Sequence, residues 1–420
     1  MSQSVADKIT LVDKKNDTTG VHKNITAILA LVIIACTLSA RLGLNFGGFS
    51  LSFALIFAYI ALFFAWVDRI LAVDTTSFFC YLALVSTGVV SFIFANSFDD
   101  KNRATLGSFL LLCIIYLPLI FRVTLKDSEI CAAKLKATFI WVGVVCAIAG
   151  VLQFSIQKLV NLPWLFDFTE YIPNFLRATE GYNTTIRTND GINKANGFFL
   201  REPSGFSFLM GMCFLVEMQN SKRLHMMALF ITGLLLSYSG TGILTILIGL
   251  ILLMKLGLLL RFLLIAPVLA CLYMTTDDFL NLSFTLSRVS EFSESGSSGY
   301  IRYIAPARLI SETILDKSWA LFTGYGPGSI TRTTVGFEFH DPTWAKLIFE
   351  YGLTGFVAAL VLAFNICKES SWGWRCGAVF FVSWLVMGGN LLAPASVMML
   401  WVFGVVMKQE QTASHTESIA

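Results

Sequence analysis

The sequence predicts an all-α polytopic integral membrane protein, with about twelve transmembrane helices and two long polar loops on one side of the membrane. Three observations predict it. Hydrophobic residues make up 56% of the 420 and charged residues only 14%, and a soluble chain of this size would leave much of that apolar material on its surface. The apolar residues fall into runs approaching the roughly 20 that a spanning helix needs, without the strict alternation of barrel strands. Two polar stretches, 158–202 and 275–343, are the long interruptions.

Residues 1–24 form a polar tail with no small-residue cleavage site before the first apolar run, so that run reads as a retained span. Residues 25–157 hold the N-terminal spans, at about 25–41, 45–67, 76–96, 104–122 and 137–157. The first long loop, 158–202, opens with Leu159–Phe168, whose Trp164, Phe166 and Phe168, with Tyr171, suit a helix at the membrane interface or a buried plug. A Gly-, Asn- and Thr-rich stretch follows over 177–196 and should be irregular. Central spans occupy 203–274, at about 203–219, 224–238, 240–255 and 258–274, and the first of them starts on Pro203, a residue suited to a first helical turn. The second loop, 275–343, contains an amphipathic helix over about 304–319 that stops at the Gly-Tyr-Gly-Pro-Gly run 324–328. Spans at about 344–366, 375–389 and 391–407 complete the domain 344–407, and 408–420 is a tail.

Basic residues orient this ladder. With the N-terminus inside, the inner segments carry Lys8, Lys14, Lys15 and Lys23, then Arg69, then Arg122, Lys126, Lys134 and Lys136, then Lys222 and Arg223, Lys255 and Arg261, Lys368 and Arg375, and Lys408. The short outer loops carry only Arg41, Lys101 and Arg103. This matches the positive-inside rule, with both termini cytoplasmic and both long loops outside, which in a bacterium is the periplasm. The net charge of +3 is scattered and forms no basic stripe of the kind that binds nucleic acid. None of the nine cysteines falls in a long outer loop, and no CxxC or Cys/His cluster suggests a metal site. No chain of ionisable groups crosses the spans, which counts against a proton-coupled pump.

The polar chemistry therefore collects outside. Its cations are Arg177, Arg187, Lys194, Arg201, Arg288, Arg302, Arg308 and Arg332. A few guanidinium groups facing one cavity would suit a diphosphate, because the planar fork binds such oxygens in pairs; pairing with nearby carboxylates is the structural alternative. His340 is the one histidine placed outside and could serve as base or phosphate ligand. Glu202 sits at the start of a span, where it either satisfies the helix dipole or takes a proton from an incoming hydroxyl. The run Ser237–Gly242 reads first as close helix packing and second as a cavity floor.

Four segments, in order, resemble the bacterial O-antigen polymerase and ligase superfamily, nearest its colanic-acid polymerase type: GFFLREPSGFSFLMG (197–211), LSYSGTGILTILIGL (236–250), SESGSSGYIRYIAPARL with LFTGYGPGS (293–309 and 321–329), and HDPTWAKLIFEYGLTG (340–355). The resemblance covers about 195–356. It places Arg302 at the loop arginine that holds the lipid diphosphate, His340 at the position of a functional histidine in ligases, and Glu202 at the Glu-Pro carboxylate. Arg308 and Gly324 fit an Arg-spacer-Gly pattern. The Ser-Arg-Gly of ligases is absent, since this chain has Ser239-Gly240-Thr241, and the arginine expected before Glu-Pro has Lys194 or Arg187 as its nearest substitutes.

The resemblance implies a membrane-embedded glycosyltransferase of the bacterial inner membrane. It would move a glycan from undecaprenyl diphosphate to a sugar hydroxyl of another lipid-linked unit, with no cofactor and no metal. Catalysis would fall to Glu202, His340 and Arg302, and substrate binding to Arg201, Arg308, Arg187 and Lys194. Membrane lipid and a chain-length regulator are the other expected partners. An O-antigen ligase, or from another class a transporter or lipid-linked sugar flippase, is the alternative.

Overall fold

Apolar runs free of internal prolines have to satisfy their own backbone groups when water is excluded, and helix does this within one segment. A computed structural model describes residues 24–46, 49–99, 103–157, 159–160, 162–178, 193–253, 293–297, 299–315, 317–368 and 370–408. Its helices are α1 (Asn24–Thr37), α2 (Phe53–Val67), α3 (Thr75–Phe98), α4 (Leu106–Tyr116), α5 (Ser128–Gln157), α6 (Pro203–Gln219), α7 (Leu224–Leu236) and α8 (Gly240–Leu253). The outer polar segment adds α9 (Ala305–Thr313) and α10 (Ser318–Thr323), and α11 (Thr343–Lys368), α12 (Trp374–Val386) and α13 (Pro394–Gly404) follow.

Among the described residues, α3, α5 and α11 are long and apolar enough to cross a membrane, with 24, 30 and 26 residues. Their length is roughly 36 Å or more at 1.5 Å per residue, against a hydrocarbon core of about 30 Å. Seven further apolar helices are shorter. Large apolar side chains face outward along α2 and α3, among them Phe63, Trp66, Phe79 and Ile93. Such a surface belongs in lipid, and the chain is a membrane protein. The expected span 258–274 lies outside the described residues.

Four sequence expectations are corrected, three of them before the second polar segment. The run 45–67 is not one helix: strands β1 (Gly43–Phe46) and β2 (Phe49–Ser52) pair antiparallel, Gly43 opposite Ser52, before α2 begins with Ser52 accepting a capping bond from the Ala54 amide. The end of the run 104–122 leaves α4 at a 3₁₀ turn containing Pro118 and enters strand β4 (Phe121–Leu125). There β4 lies between β3 (Leu71–Val73), antiparallel, and β5 (Val406–Lys408), parallel. Of the two readings of 159–168, the described residues show no interfacial helix; Pro163–Leu165, Thr169–Tyr171 and Asn174–Leu176 form separate 3₁₀ turns, with Phe166 buried while Trp164 and Tyr171 are exposed.

Most buried apolar residues form one core shared by the apolar helices. Within it α6 packs on α7 and α8. A Cβ on Gly242 would stand 2.3 Å from the Ser207 carbonyl oxygen, and the Gly242 amide donates to Ser207 Oγ at 2.9 Å. The small-residue run 237–242 therefore serves close packing of α8 on α6.

The second polar segment builds its own small core from Leu309, Ile314, Ala320, Tyr325, Ile330 and Phe349. The amphipathic helix expected over 304–319 is split. The Tyr325 hydroxyl donates to the Thr313 carbonyl at 2.7 Å, ending α9, and α10 restarts at Ser318. α11 is kinked at Gly352, whose φ of 66° and ψ of −173° suit only glycine. The bend exposes the Phe349 and Glu350 carbonyls to the amides of Tyr325 and Gly326, at 2.8 and 3.0 Å. The glycine-rich turn is thus docked backbone to backbone on the helix that His340 precedes.

Candidate active site

Glu202 occupies the N-cap position of α6 but does not cap it; its side chain makes no bond to the helix amides. Pro203 supplies the first turn instead, losing a donor that the helix would leave unpaired anyway. The carboxylate is free to turn outward, where Oε2 accepts from the Ser204 hydroxyl at 2.7 Å and lies 3.4 Å from Arg302 Nη2.

Arg302 stands in a single π-helical turn, Tyr300–Ile304, ahead of α9. The cause is local. Pro306, in the first turn of α9, has no N–H to give the Arg302 carbonyl, so the backbone widens there. The turn presents Arg302 toward α6 across 100 residues of sequence, with both partners of the ion pair about one quarter exposed.

His340 completes the group. Its amide donates to the Ile301 carbonyl at 3.0 Å, laying the strand-like segment before α11 along the Arg302 turn. Its imidazole is held below the usual value of 6.5, first because protein atoms withdraw it from water and next because Arg302 is near; Asp341, Glu202 and Glu338 oppose this in part. The residue still has an accessible surface, so the ring stays reachable. Asp341 is turned away to the nearly buried Lys346, whose ammonium lies 2.7 Å from its Oδ2.

Arg201 precedes Glu202 in the chain, and its Nε donates to the Ala40 carbonyl at 3.1 Å. Lys194 is buried, on a stretch whose neighbours Asn193 and Asn196 are bonded to Gln157 and Gln153. Arg308 points elsewhere: it pairs with Glu312 at 2.6 Å on the surface of α9 and lies over the Phe337 ring at 4.5 Å. Arg187 lies outside the described residues. Geometry therefore brings together Glu202, Arg302 and His340, directs Arg201 to the Ala40 carbonyl, and pairs Arg308 with Glu312.

Two residues that served the sequence reading only as markers of orientation turn out to fix the site. Buried Arg41 donates to Asp167 at 3.0 Å, to the Phe166 carbonyl at 2.9 Å and twice to the Leu200 carbonyl, at 2.9 and 2.6 Å. It joins the first polar loop to the segment carrying Arg201 and Glu202. Buried Arg103 holds Asp99 with two nitrogens, donates to Thr333 Oγ1 at 2.7 Å, and lies 4.6 Å from the Tyr325 ring. Its guanidinium also lies 5.9 Å from the Phe349 ring of α11, so it clamps the glycine turn to that helix. The Asp99–Arg103 spacing of four was the signal available for the second.

A carboxylate, a guanidinium and an imidazole at one polar mouth can accept a proton and neutralise a departing anion. A family model described as WcaD colanic acid polymerase matches residues 26–409. The chain belongs to that family. No match was found among curated proteins. Membership of the colanic acid polymerase family makes the protein a polysaccharide repeat-unit polymerase, a glycosyltransferase-type enzyme acting on lipid-linked oligosaccharide in the membrane. The family match spans the ion pair, His340 and both arginine clamps, far more of the chain than the four motifs between 195 and 356.

Proposed function

We propose that this polymerase transfers a growing glycan from undecaprenyl diphosphate to a sugar hydroxyl of a second lipid-linked repeat unit, at the periplasmic face of the bacterial inner membrane. The observation that carries the reading is the meeting of Glu202, Arg302 and His340 at the mouth of α6. The acceptor hydroxyl gives its proton to Glu202 or His340 and its oxygen bonds to the donor's anomeric carbon. The bond from that carbon to the diphosphate oxygen breaks, and the electron pair leaves with the diphosphate. Arg302, helped by Arg201, stabilises that charge; one such preorganised donor is worth about 10²–10³ in rate. The cleaved bond supplies the driving force, so no nucleotide is called for. The basic residues of the inner segments support the orientation, with both termini cytoplasmic.

The test is a gel of surface and lipid-linked polysaccharide from a deletion strain and its complemented parent. Single repeat units in place of a ladder are expected. A ladder that persists on the lipid carrier would instead indicate a ligase, and an unchanged pattern would remove the protein from polysaccharide assembly.

A further inference from the structure

Beside His340 and Ile301 lies a shallow, open recess of about 400 Å³, within the range of small-molecule sites. Its wall is the segment 333–340, whose accessibility alternates. Val335, Phe337 and Phe339 are half-buried against the small outer core, while Thr334, Glu338 and His340 are exposed at the rim. The two phenylalanine rings meet edge to face, 6.3 Å apart. Arg308, expected from the sequence to bind substrate, braces the Phe337 ring from outside and spends its charge on Glu312.

We propose that this recess holds the acceptor sugar, an inference that rests on the transferase reading above. A pyranose ring has apolar C–H faces and hydroxyl edges, so it fits a floor of aromatic rings bordered by a hydroxyl, a carboxylate and an imidazole. A lipid tail does not fit, because the rim is polar. A diphosphate does not fit either, because Glu338 at the rim would repel it and the guanidinium groups against the wall are already engaged, Arg308 with Glu312 and Arg103 with Asp99, whereas Arg302 lies at Glu202. His340 belongs to both places: it lines the recess and feels the charges of Arg302 and Glu202. A hydroxyl of a sugar in the recess therefore lies next to the group that would take its proton, with the donor anchored on the far side.

Full-length protein in nanodiscs, supplied with lipid-linked repeat units from the deletion strain, provides the test. Free repeat-unit oligosaccharide, released from that lipid by mild acid, competes for the acceptor position. Its inhibition constant is measured for wild type, Thr334→Trp and Glu338→Gln. Both substituted residues are exposed, and unfolding temperature is measured to verify that the fold is kept. Inhibition weakened about tenfold, the worth of one charge-assisted hydrogen bond, with donor KM unchanged, is expected. Inhibition constants equal to wild type, an equal change in donor KM, or no inhibition of wild type would overturn the sugar subsite. Wild type that makes no polymer would overturn the transferase reading itself.

Discussion

Arg302→Ala separates a catalytic arginine from a structural one. Its ion pair with Glu202 is long, 3.4 Å, and both side chains keep about one quarter of their surface in water. Pairs of that kind contribute on the order of 1 kcal/mol or less to folding, so the variant should reach the membrane at near wild-type levels. The rate should respond far more. A donor aimed at charge that develops only during transfer is worth about 3–4 kcal/mol, or 10²–10³ in kcat. Arg302→Lys keeps the charge and loses the fork, and falls between. The assay is the polysaccharide ladder of the complemented deletion strain, read against protein level, with initial rates on lipid-linked units in nanodiscs. Normal long chains from Arg302→Ala would refute the assignment. A loss of chains that merely tracks a loss of folded protein would refute the argument from exposure.

His340 gives a pH signature. Protonated imidazole cannot accept the acceptor's proton, so activity should fall as pH drops, with a midpoint below the ordinary 6.5. Arg302→Ala should raise that midpoint in the residual activity and Glu202→Gln should lower it, because the two charges act on the ring in opposite senses; a pH–rate profile that moves with neither would exclude His340 as the base. Gly352→Ala should cost about 1–3 kcal/mol for the backbone conformation alone, and more because the added Cβ would lie 2.2 Å from the Phe322 carbonyl oxygen; a lower thermal transition of detergent-solubilised protein would register it. Arg41→Met takes the donor from the buried Leu200 carbonyl and the counter-ion from Asp167, while Thr169 still bonds Asp167 and Asn196 still bonds the Phe166 carbonyl; a loss of about 1–3 kcal/mol follows, and the fraction of monodisperse protein should drop. In intact spheroplasts, a membrane-impermeant maleimide should label Thr334→Cys and leave Lys126→Cys unlabelled until lysis; the reverse would invert the topology.

How much of this was legible from sequence depended on whether a feature was local. The start of α6 was, because Pro203 at the edge of an apolar run has one comfortable place in a helix, and the helix begins there. The runs at 76–96, 203–219 and 344–366 came within a few residues of α3, α6 and α11 for the same reason: length and apolarity decide them. The hairpin at 43–52 did not show, since a short apolar strand and the end of an apolar helix look alike by hydropathy; the Gly47-Gly48 dipeptide was the one hairpin signal. The strands β4 and β5 hid at the ends of apolar runs in the same way. The site was legible only through resemblance. Periodicity cannot join Glu202 to Arg302 over 100 residues, and a scatter of outer arginines gives no hint which one faces the carboxylate. That choice is made by Pro306, which widens the turn carrying Arg302, and by the docking of 324–328 on the kink at Gly352, which fixes where the segment of His340 can run. Arg41 and Arg103 were passed over because a lone basic residue in a short loop looks like a topology marker until its partners, Leu200 and Tyr325, are seen beside it. The same logic reassigns Arg308. Four residues before Glu312 on a helix, it had a nearer use for its charge than a diphosphate.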